Sequence, residues 1–328
     1  MSATGAAAER RLLEQLLDQP TVRRRMLVVV NPYATTVSAR LRNLVVYALQ
    51  ARYDVDAIDT DARGHARSIS LEAAREGYDV VVAFGGDGTV NEVANGLAGS
   101  DTPLTCLPGG ATNVVCRTLG IPTDVVEATE HLLALADDLR PRAVDLGEVN
   151  GRAFVFGSGV GLDASVVERV DANPALKARL GEYYFTWAAI SAFARRYLVN
   201  PPRLRVEAAT GSVEGVTAIV QNSDPYTYFG ARPIRLARDV DLVSRTLSTT
   251  TLCRARPIDV PTLLARVFSA RAEVVQRHRQ IVGQSHLPRL RIVSIDDRPL
   301  PMQVDGDYVG DETRFDYRIL PGALKVVS

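Results

Sequence analysis

Apolar runs of strand length alternate with segments of helical periodicity in the first part of the chain. The predicted strands are Met26–Val30, Asp54–Ile58, Val80–Phe84 and Leu104–Leu107. Between them lie predicted helices, the clearest of which repeats its apolar residues with helical spacing, at Val90, Val93, Ala94 and Leu97. A repeated strand–helix pattern is typical of a parallel sheet with helices on both faces. We therefore predict an α/β domain over residues 25–140.

The pattern changes after Pro141, where short β-like runs are separated by turn residues. The runs are Leu204–Ala208, Val213–Val220, Leu247–Leu252, Leu290–Ile295, Leu300–Val304 and Phe315–Leu320. Asn150-Gly151, between two apolar segments, predicts a tight hairpin. Two helices are expected at about 176–198 and 259–278. Many short strands indicate an antiparallel sandwich or barrel, predicted here over residues 141–328. Residues 1–24 are expected to be an extension with an amphipathic helix at 6–19.

The composition is that of a soluble protein, with 46% hydrophobic and 23% charged residues. No apolar run approaches the ~18 to 20 residues that span a bilayer, and the N-terminus lacks the apolar core of a secretory signal. The three scattered cysteines predict a cytoplasmic protein without a disulfide framework. Basic and acidic residues, 38 of each, cancel, so no nucleic-acid partner is indicated. Between Thr251 and Leu300, however, nine arginines stand against four acids.

Three loops rich in glycine, hydroxyl and amide groups follow predicted parallel strands. They cover Asn31–Thr36, Gly85–Glu92 and Pro108–Asn113. Open α/β sheets bind ligands at the carboxyl ends of their strands, and glycine lets a backbone approach a phosphate closely. Asp87 would repel a phosphate unless a divalent cation lay between them. Each loop alone also fits a plain turn, but together they predict a phosphate-binding site, although no Walker-type Gly-Lys-Ser/Thr is present.

Two nearby strings carry a family resemblance: GGDGTVNEVANGLAG and PLTCLPGGATNVVCRTLGIP. Both resemble the catalytic domain of diacylglycerol kinases and bacterial soluble lipid kinases, relatives of sphingosine kinase. Further similarity lies in VVVNPYATT, in Thr60 with Gly64-His65-Ala66, in VDGDYVG and in LPGALKVV, so the resemblance runs from about Arg25 to Val327. Shorter forms of the first string also occur in NAD kinases and phosphofructokinases, which share the superfamily fold.

The fold that the resemblance implies is α/β. It has an N-terminal parallel α/β three-layer domain of the NAD kinase/diacylglycerol kinase type and a C-terminal antiparallel β-sandwich domain. The last strand is expected to return to the first domain. The nucleotide would lie in the cleft between the two domains.

The activity that the resemblance implies is ATP-dependent phosphoryl transfer to a lipid hydroxyl, with Mg²⁺ on the phosphates. Residues of the three loops, with Thr60, would contact the nucleotide: Asn31, Pro32, Thr35, Thr60, Gly85, Gly86, Asp87, Gly88, Thr89, Asn91, Gly110, Thr112 and Asn113. Asp87 would touch the metal or polarise the acceptor hydroxyl. Asp307 stands where the family has its catalytic carboxylate, and we predict it to be the general base. Asp305 would support Asp307 or help to hold the metal, although Asp-Gly-Asp is also a common hairpin turn.

The chain departs from the family pattern at three places. Asn113-Val114 stands where most bacterial members have Asn-Asp, and Asp305-Gly306-Asp307 replaces the usual Asp-Gly-Glu. The acidic stretch that holds a structural Mg²⁺ in some members falls on residues 243–248, which read Val-Ser-Arg-Thr-Leu-Ser. Asp239 and Asp241 nearby are a thin ligand set for a hard cation. We therefore expect no structural Mg²⁺ in the second domain.

The leading hypothesis is a cytoplasmic lipid kinase that visits the inner membrane surface and converts diacylglycerol to phosphatidic acid. Other lipid hydroxyls would use the same loops, so the acceptor stays open, as does a homodimer. One alternative is a soluble-metabolite kinase of the NAD type, although the LGFL-like segment of such enzymes is missing. Another is a non-catalytic lipid- or nucleotide-binding regulator, which the altered acidic stretch and Asp307 favour.

Overall fold

The computed structural model describes residues 23–162, 164–165 and 201–328. The helices predicted at 6–19 and 176–198 lie outside these residues. Within the described ranges, no helix is both long and apolar enough to span a membrane.

Parallel strands with flanking helices form the first part of the larger sheet. The strands are β1 Arg25–Val30, β2 Asp54–Asp59, β3 Val80–Gly85 and β4 Leu104–Pro108, in the order β2-β1-β3-β4. The helices are α1 Ala39–Leu49, α2 His65–Glu76, α3 Asp87–Leu97, α4 Val114–Leu119 and α5 Val125–Ala134. Every residue of β3 is buried, which requires a cover on both faces of the sheet. Two helix pairs, α1 with α5 and α2 with α3, pack around this core.

Antiparallel strands dominate the second part. Strands that extend the larger sheet are β5 Arg142–Val149, β6 Arg152–Phe154, β8 Leu204–Ala208, β9 Gly211–Gly215, β15 Arg289–Ser294 and β18 Arg314–Val326. Strands of a second, six-stranded sheet are β7 Gly157–Gly161, β10 Thr217–Gln221, β13 Leu247–Leu252, β14 Ile281–Leu287, β16 Leu300–Val304 and β17 Asp307–Glu312. A separate hairpin joins β11 Thr227–Phe229 to β12 Arg232–Ile234. Residues of both sheets share one apolar core, which makes this part a β-sandwich.

Strand β18 connects the two parts of the larger sheet. It is 13 residues long and pairs with β15 and β5, and its Val326 pairs with Leu104 of β4 in parallel. The register shifts between Leu320 and Leu324, where Pro321-Gly322 interrupts the ladder. The sheet is therefore continuous over ten strands. The change of sequence pattern near residue 140 corresponds to a change from parallel to antiparallel strands within this one sheet. The predicted domain boundaries stay a prediction.

The run Val213–Val220 was expected to be one strand, and this expectation is wrong. It is split between β9 in the larger sheet and β10 in the second sheet. The chain crosses between the sheets at Gly215, where a β-carbon would lie 2.6 Å from the Thr251 Cγ2 atom and 2.7 Å from the Leu252 carbonyl oxygen. Only a residue without a side chain fits this crossing, and a continuous apolar pattern does not show it.

The single helix expected at 259–278 is also wrong. Two short helices, α6 Val260–Val267 and α7 Ala272–Gln276, take its place after a 3₁₀ turn at Pro257–Asp259. Ala270 between them has a φ of 59°, a left-handed conformation that a continuous α-helix cannot contain.

Candidate active site

The three predicted loops meet at the carboxyl ends of the parallel strands. The Asn31 side-chain amide donates a hydrogen bond to the Thr89 hydroxyl at 3.1 Å, which joins the first loop to the second. The Gly109 N–H donates to the Gly85 carbonyl at 2.8 Å, and the Thr36 N–H donates to the Gly109 carbonyl at 3.1 Å. Each loop is therefore bonded to the other two, as the strand order β1-β3-β4 requires.

Glycines allow the second and third loops to touch backbone to backbone. A β-carbon on Gly109 would lie 2.7 Å from the Gly85 Cα, and one on Gly110 would lie 2.8 Å from the Gly86 Cα. Real β-carbons do not come so close to a backbone atom, so neither position accepts a larger residue without moving a loop. The glycines thus join the main chains of the two loops into a single platform beside β3 and β4.

Asp87 lies in α3 but caps the amino end of a different helix, α4. Its carboxylate accepts hydrogen bonds from the N–H groups of Val114 and Val115, at 3.0 and 3.1 Å, at the amino end of α4. Helix amino ends favour negative charge, and the helix's own N-cap residue, Asn113, makes no capping bond with its side chain. Burial raises the pKa of Asp87 to about 6, against the opposing effect of these hydrogen bonds, and the charge of Asp307 raises it further.

Asp307 reaches the glycine platform from the second sheet. A β-carbon added to Gly88 would lie 2.5 Å from the Asp307 Oδ2 atom, so this carboxylate rests directly over the Gly88 Cα. Gly88 and Asp87 are neighbours at the start of α3, and the effect of Asp307 on the pKa of Asp87 shows that the two charges interact. The structure therefore brings together two of the three predicted catalytic carboxylates.

Asp305 is the third predicted catalytic residue, and it lies buried beneath the turn. One carboxylate oxygen accepts from the N–H groups of Phe156 and Gly157, at 2.9 and 3.0 Å. The other accepts from the Val155 N–H at 2.7 Å and from the Asn91 amide at 2.8 Å. Burial raises its pKa to about 6 although all four donors act to lower it.

These four donors occupy the lone-pair sites of an ionised carboxylate. The geometry therefore suits Asp305 for holding the turn in place. It leaves no oxygen lone pair for the predicted contact with a metal ion.

Asn91, expected to contact ATP, lies instead at the junction between the two parts of the fold. It is buried, and its amide donates to the Ala153 carbonyl at 3.0 Å as well as to Asp305. Asn95, one helical turn later, bonds both main-chain groups of Ala153, each at 3.0 Å. The sequence analysis did not single out Asn95, although its spacing from Asn91 places both amides on one face of α3.

Glu92 lies at the end of the second predicted loop, but its role was not predicted from the sequence. Its carboxylate accepts from the Gly64 N–H at 2.7 Å and from the Ala66 N–H at 3.2 Å, and thereby caps α2. A sequence signal was available, since α2 begins after Gly64, a residue with no capping side chain of its own. The string GGDGTVNE thus caps two adjacent helices, through Asp87 and Glu92.

The other predicted nucleotide contacts line the same edge. Asn113, at a φ of 51°, closes the third loop on itself, because its side chain accepts from the Gly110 N–H at 2.9 Å and donates to the Gly110 carbonyl at 2.7 Å. Thr60 is buried at the end of β2. Pro32 and Thr35 are exposed in the first loop, and Thr112 is half-buried in the third. Their contact with a nucleotide stays a prediction.

The altered acidic stretch is folded into a turn. The Asp241 carboxylate accepts from the Val243 N–H at 2.8 Å, and the Ser244 hydroxyl donates to the Asp241 carbonyl at 3.0 Å. Among the described residues, no three His, Cys, Asp or Glu side chains gather as a metal site. Asp239 lies nearby at a φ of 55°. The expectation that this region needs no structural Mg²⁺ stays a prediction.

Comparison with known proteins identifies the first part of the fold. Residues 25–149 match the family model of the diacylglycerol kinase catalytic domain. The matched segment is less than half of the chain. It contains the three loops, α3 with its two capping carboxylates, and the strands that carry them. The family resemblance seen in the sequence is thereby confirmed.

Individual relatives extend the match. A diacylglycerol kinase of Bacillus subtilis (strain 168) is 37% identical over 140 residues, which are 41% of this chain and 44% of that protein. The matched segment thus spans less than half the length of this relative. A protein of Pseudomonas savastanoi pv. phaseolicola named "Probable lipid kinase YegS-like" is 28% identical over 319 residues, or 93% of each chain. Both relatives are named as kinases, the first of diacylglycerol and the second of a lipid.

A solved structure extends the likeness to the whole fold. A crystal structure of a diacylglycerol kinase from Bacillus anthracis str. Sterne superposes with a TM-score of 0.70 and 23% sequence identity. It covers 94% of this chain and 98% of that one. The predicted combination of a parallel α/β part and an antiparallel β-sandwich is therefore confirmed.

Proposed function

We propose that the protein is an ATP-dependent lipid kinase that transfers the γ-phosphate to a lipid hydroxyl, with diacylglycerol as acceptor and phosphatidic acid as product. The observation that carries the proposal is the position of Asp307. A carboxylate from the second sheet rests over Gly88, inside the loop that begins α3. A base held against a phosphate-binding platform is the arrangement that phosphoryl transfer to an alcohol needs.

The platform is the proposed site for the ATP phosphates. Main-chain N–H groups and a helix amino end attract anions, and the contacts of Gly109 and Gly110 with the second loop hold the two loops together as one platform. The amide of Asn31 and the hydroxyl of Thr89, bonded to each other, border the same edge. These groups would orient the nucleotide, since the protein mostly positions groups in this type of reaction.

The Asp87 carboxylate fits a Mg²⁺ ion bound with the nucleotide. A carboxylate is the ligand type that this hard cation prefers, and a cation beside Asp87 would relieve its repulsion with Asp307. The ion would supply neutralisation of phosphate charge. Asp87 is held at the amino end of α4 by two hydrogen bonds, so its position is fixed before any ligand binds.

Asp307 is the proposed general base. The acceptor hydroxyl oxygen forms a bond to the γ-phosphorus while the bond from that phosphorus to the ADP oxygen breaks, and the hydroxyl proton passes to the Asp307 carboxylate. Asp305 holds the turn that presents Asp307, through its bonds to residues 155–157 and Asn91. The side chain of aspartate is shorter than the family's glutamate, yet the Asp307 carboxylate already reaches Gly88.

Label transfer tests this proposal. The protein is incubated with Mg-ATP labelled at the γ-phosphate and either mixed micelles of diacylglycerol or a total lipid extract. We expect the label in an organic-soluble product that co-migrates with phosphatidic acid. Transfer to NAD in a lipid-free buffer would instead favour the metabolite kinase. Nucleotide binding without transfer to any acceptor would favour a regulator that has kept the fold.

A further inference from the structure

One short helix of the β-sandwich part presents an uncharged and largely apolar surface to solvent. The exposed residues of α6 and of the turn before it are Pro257, Ile258, Pro261, Thr262, Leu264 and Ala265. We call this set the α6 face. Ile258 is 77% exposed and Leu264 is 49% exposed. Helices at a protein surface normally turn charged or polar residues outward, so this arrangement needs an explanation.

The charged residues of the same segment are turned away from the α6 face. Asp259 is buried and is bonded to the Arg279 guanidinium. Arg266 is only partly exposed and donates to the Val274 carbonyl at 2.8 Å. The segment thus satisfies its charges within the fold and leaves its apolar side chains outside. An apolar surface that is surrounded by polar groups marks a site of protein or membrane contact.

Arginines flank the α6 face on both sides. Arg254 and Arg256 precede it, Arg271 and Arg277 follow it, and all four are exposed. In the described part of the chain, none of the four forms an ion pair. The segment from Thr251 to Gln280 contains six arginines and two acids, of which Asp259 is paired internally. The surroundings of the α6 face are therefore positively charged, and their complement is an anionic surface.

We propose that the α6 face and its four flanking arginines dock the protein on an anionic lipid bilayer. The inference rests on the proposed function, because a kinase of membrane lipids must reach its acceptor at a bilayer. Apolar side chains enter the boundary between headgroups and acyl chains while basic residues contact anionic headgroups. The face is too short to span a membrane, so docking is peripheral and reversible.

The docking surface connects to the candidate active site through one hairpin. Phe268, which follows α6, packs edge-on against Phe229 of β11 at 5.4 Å between ring centroids, and Arg232 of β12 donates to the Phe268 carbonyl. On the other side of the hairpin, the Arg117 guanidinium of α4 lies 4.6 Å from the centre of the Tyr228 ring. Helix α4 is the one that Asp87 caps. The hairpin therefore touches both the membrane-facing segment and the helix at the phosphate platform.

Vesicle sedimentation tests the apolar part of the proposal. Wild type should co-sediment with vesicles of equal parts phosphatidylglycerol and phosphatidylcholine, and Leu264→Asp should weaken this binding about tenfold or more. The matched control is Leu44→Asp. Leu44 is 58% exposed on α1, more than two hundred residues before α6 in the sequence, so this variant should bind the vesicles like wild type. Ile258→Asp is a second variant at the docking surface and should behave like Leu264→Asp. The thermal unfolding midpoint shows whether each variant is folded.

Two double variants that each remove two positive charges test the role of the arginines. Arg254→Gln combined with Arg256→Gln should weaken binding to the same vesicles by about fivefold for each arginine, the equivalent of ~1 kcal/mol each. Arg67→Gln combined with Arg75→Gln is the control, since both arginines are exposed on α2. Binding of wild type should fall as salt rises and should be weak on pure phosphatidylcholine. Equal binding to both kinds of vesicle would contradict the role of the arginines.

The remaining outcomes separate docking from catalysis. Leu264→Asp should phosphorylate a short-chain, water-soluble diacylglycerol as wild type does, because the acceptor then needs no bilayer. Wild-type binding of Leu264→Asp and Ile258→Asp to anionic vesicles would overturn the proposal. The proposal would also be overturned if these variants changed the oligomeric state and left vesicle binding unchanged, because the α6 face would then be a subunit interface. If vesicle binding depends on Leu264 but the protein phosphorylates no lipid, the docking surface is supported and the proposed function is rejected.

Discussion

The loops of the parallel sheet and the β16–β17 turn contribute to one site by different means. The loops are held by contacts between strands that are neighbours in the sheet, such as Gly109 with Gly85. The turn is held through Asp305, whose donors come from residues 155–157 and from α3. The loops therefore form a platform without help from the sandwich, whereas the position of Asp307, the proposed base, depends on the junction between the two parts. Changes at the junction should impair phosphate transfer and spare nucleotide binding.

The largest effect is expected from Asp307→Asn. This substitution keeps the shape of the side chain and removes its basicity, so turnover should fall by about 10²–10⁴ with nucleotide affinity nearly unchanged. The control is Asp311→Asn on the same strand, whose carboxylate accepts from the Tyr308 hydroxyl at 2.9 Å. Initial rates of label transfer and equilibrium nucleotide binding are the measurements. If Asp307→Asn turns over like wild type, Asp307 is only a turn residue, and Asp87 becomes the candidate for the general base.

Removing the carboxylate at the junction should destabilise the whole fold. Asp305→Ala leaves four donors without an acceptor in a buried site, which should lower the free energy of unfolding by about 3 kcal/mol or more. Asp101→Ala is the control, since its ion pair with Lys325 is on the surface and should contribute little to stability. Urea denaturation measures both. Equal midpoints for the two variants would show that the Asp305 bonds do not hold the turn.

A methyl group on Gly88 should act through Asp307. The new β-carbon would lie 2.5 Å from the Asp307 Oδ2 atom, so the carboxylate must move. We expect Gly88→Ala to lower turnover by about 10 to 10², since a misplacement of about 1 Å costs roughly this much. In a double-mutant cycle, Gly88→Ala should cost little in the Asp307→Asn background. Additive losses would mean that Gly88 acts on the nucleotide and not on the base.

The smallest effect is a pH dependence. Burial raises the pKa of Asp87 to about 6, so the carboxylate is charged above that pH and becomes neutral below it. A neutral Asp87 attracts a Mg-nucleotide less, so kcat/KM for Mg-ATP should fall as pH is lowered through about 6, by about tenfold per pH unit at the acid end. Steady-state rates between pH 5 and 8 give the profile. A flat profile over this range would contradict the proposed contact.

The platform could be predicted from the sequence because its signals are local. Buried strands such as Val80–Gly85 end at glycines, and the loops that follow parallel strands share one edge. The positions of Asp87, Gly86 and Gly110 follow from these two facts.

The junction could not be predicted in the same way. The donors to Asp305 are mostly main-chain N–H groups, which every residue but proline carries, so no residue type marks them. The hydrogen bond from the Asn91 amide to the main-chain carbonyl of Ala153 could not be predicted for the same reason. Glu92 and Asp87 serve helices other than their own, and such pairings depend on how helices pack and not on the spacing within one string.

Strand β18 is the last strand in the sequence, yet it lies beside β4 in the middle of the sheet. Strand β4 leaves the ribosome early, but its neighbour in the sheet, β18, follows some two hundred residues later. Until then, β4 has an open edge beside the glycine loops. Open edges of this kind pair with other chains, and contacts between distant residues form slowly. A nascent chain that stops before β18 would therefore expose the edge of the parallel part to aggregation, and pairing of the last strand with β4 covers this edge.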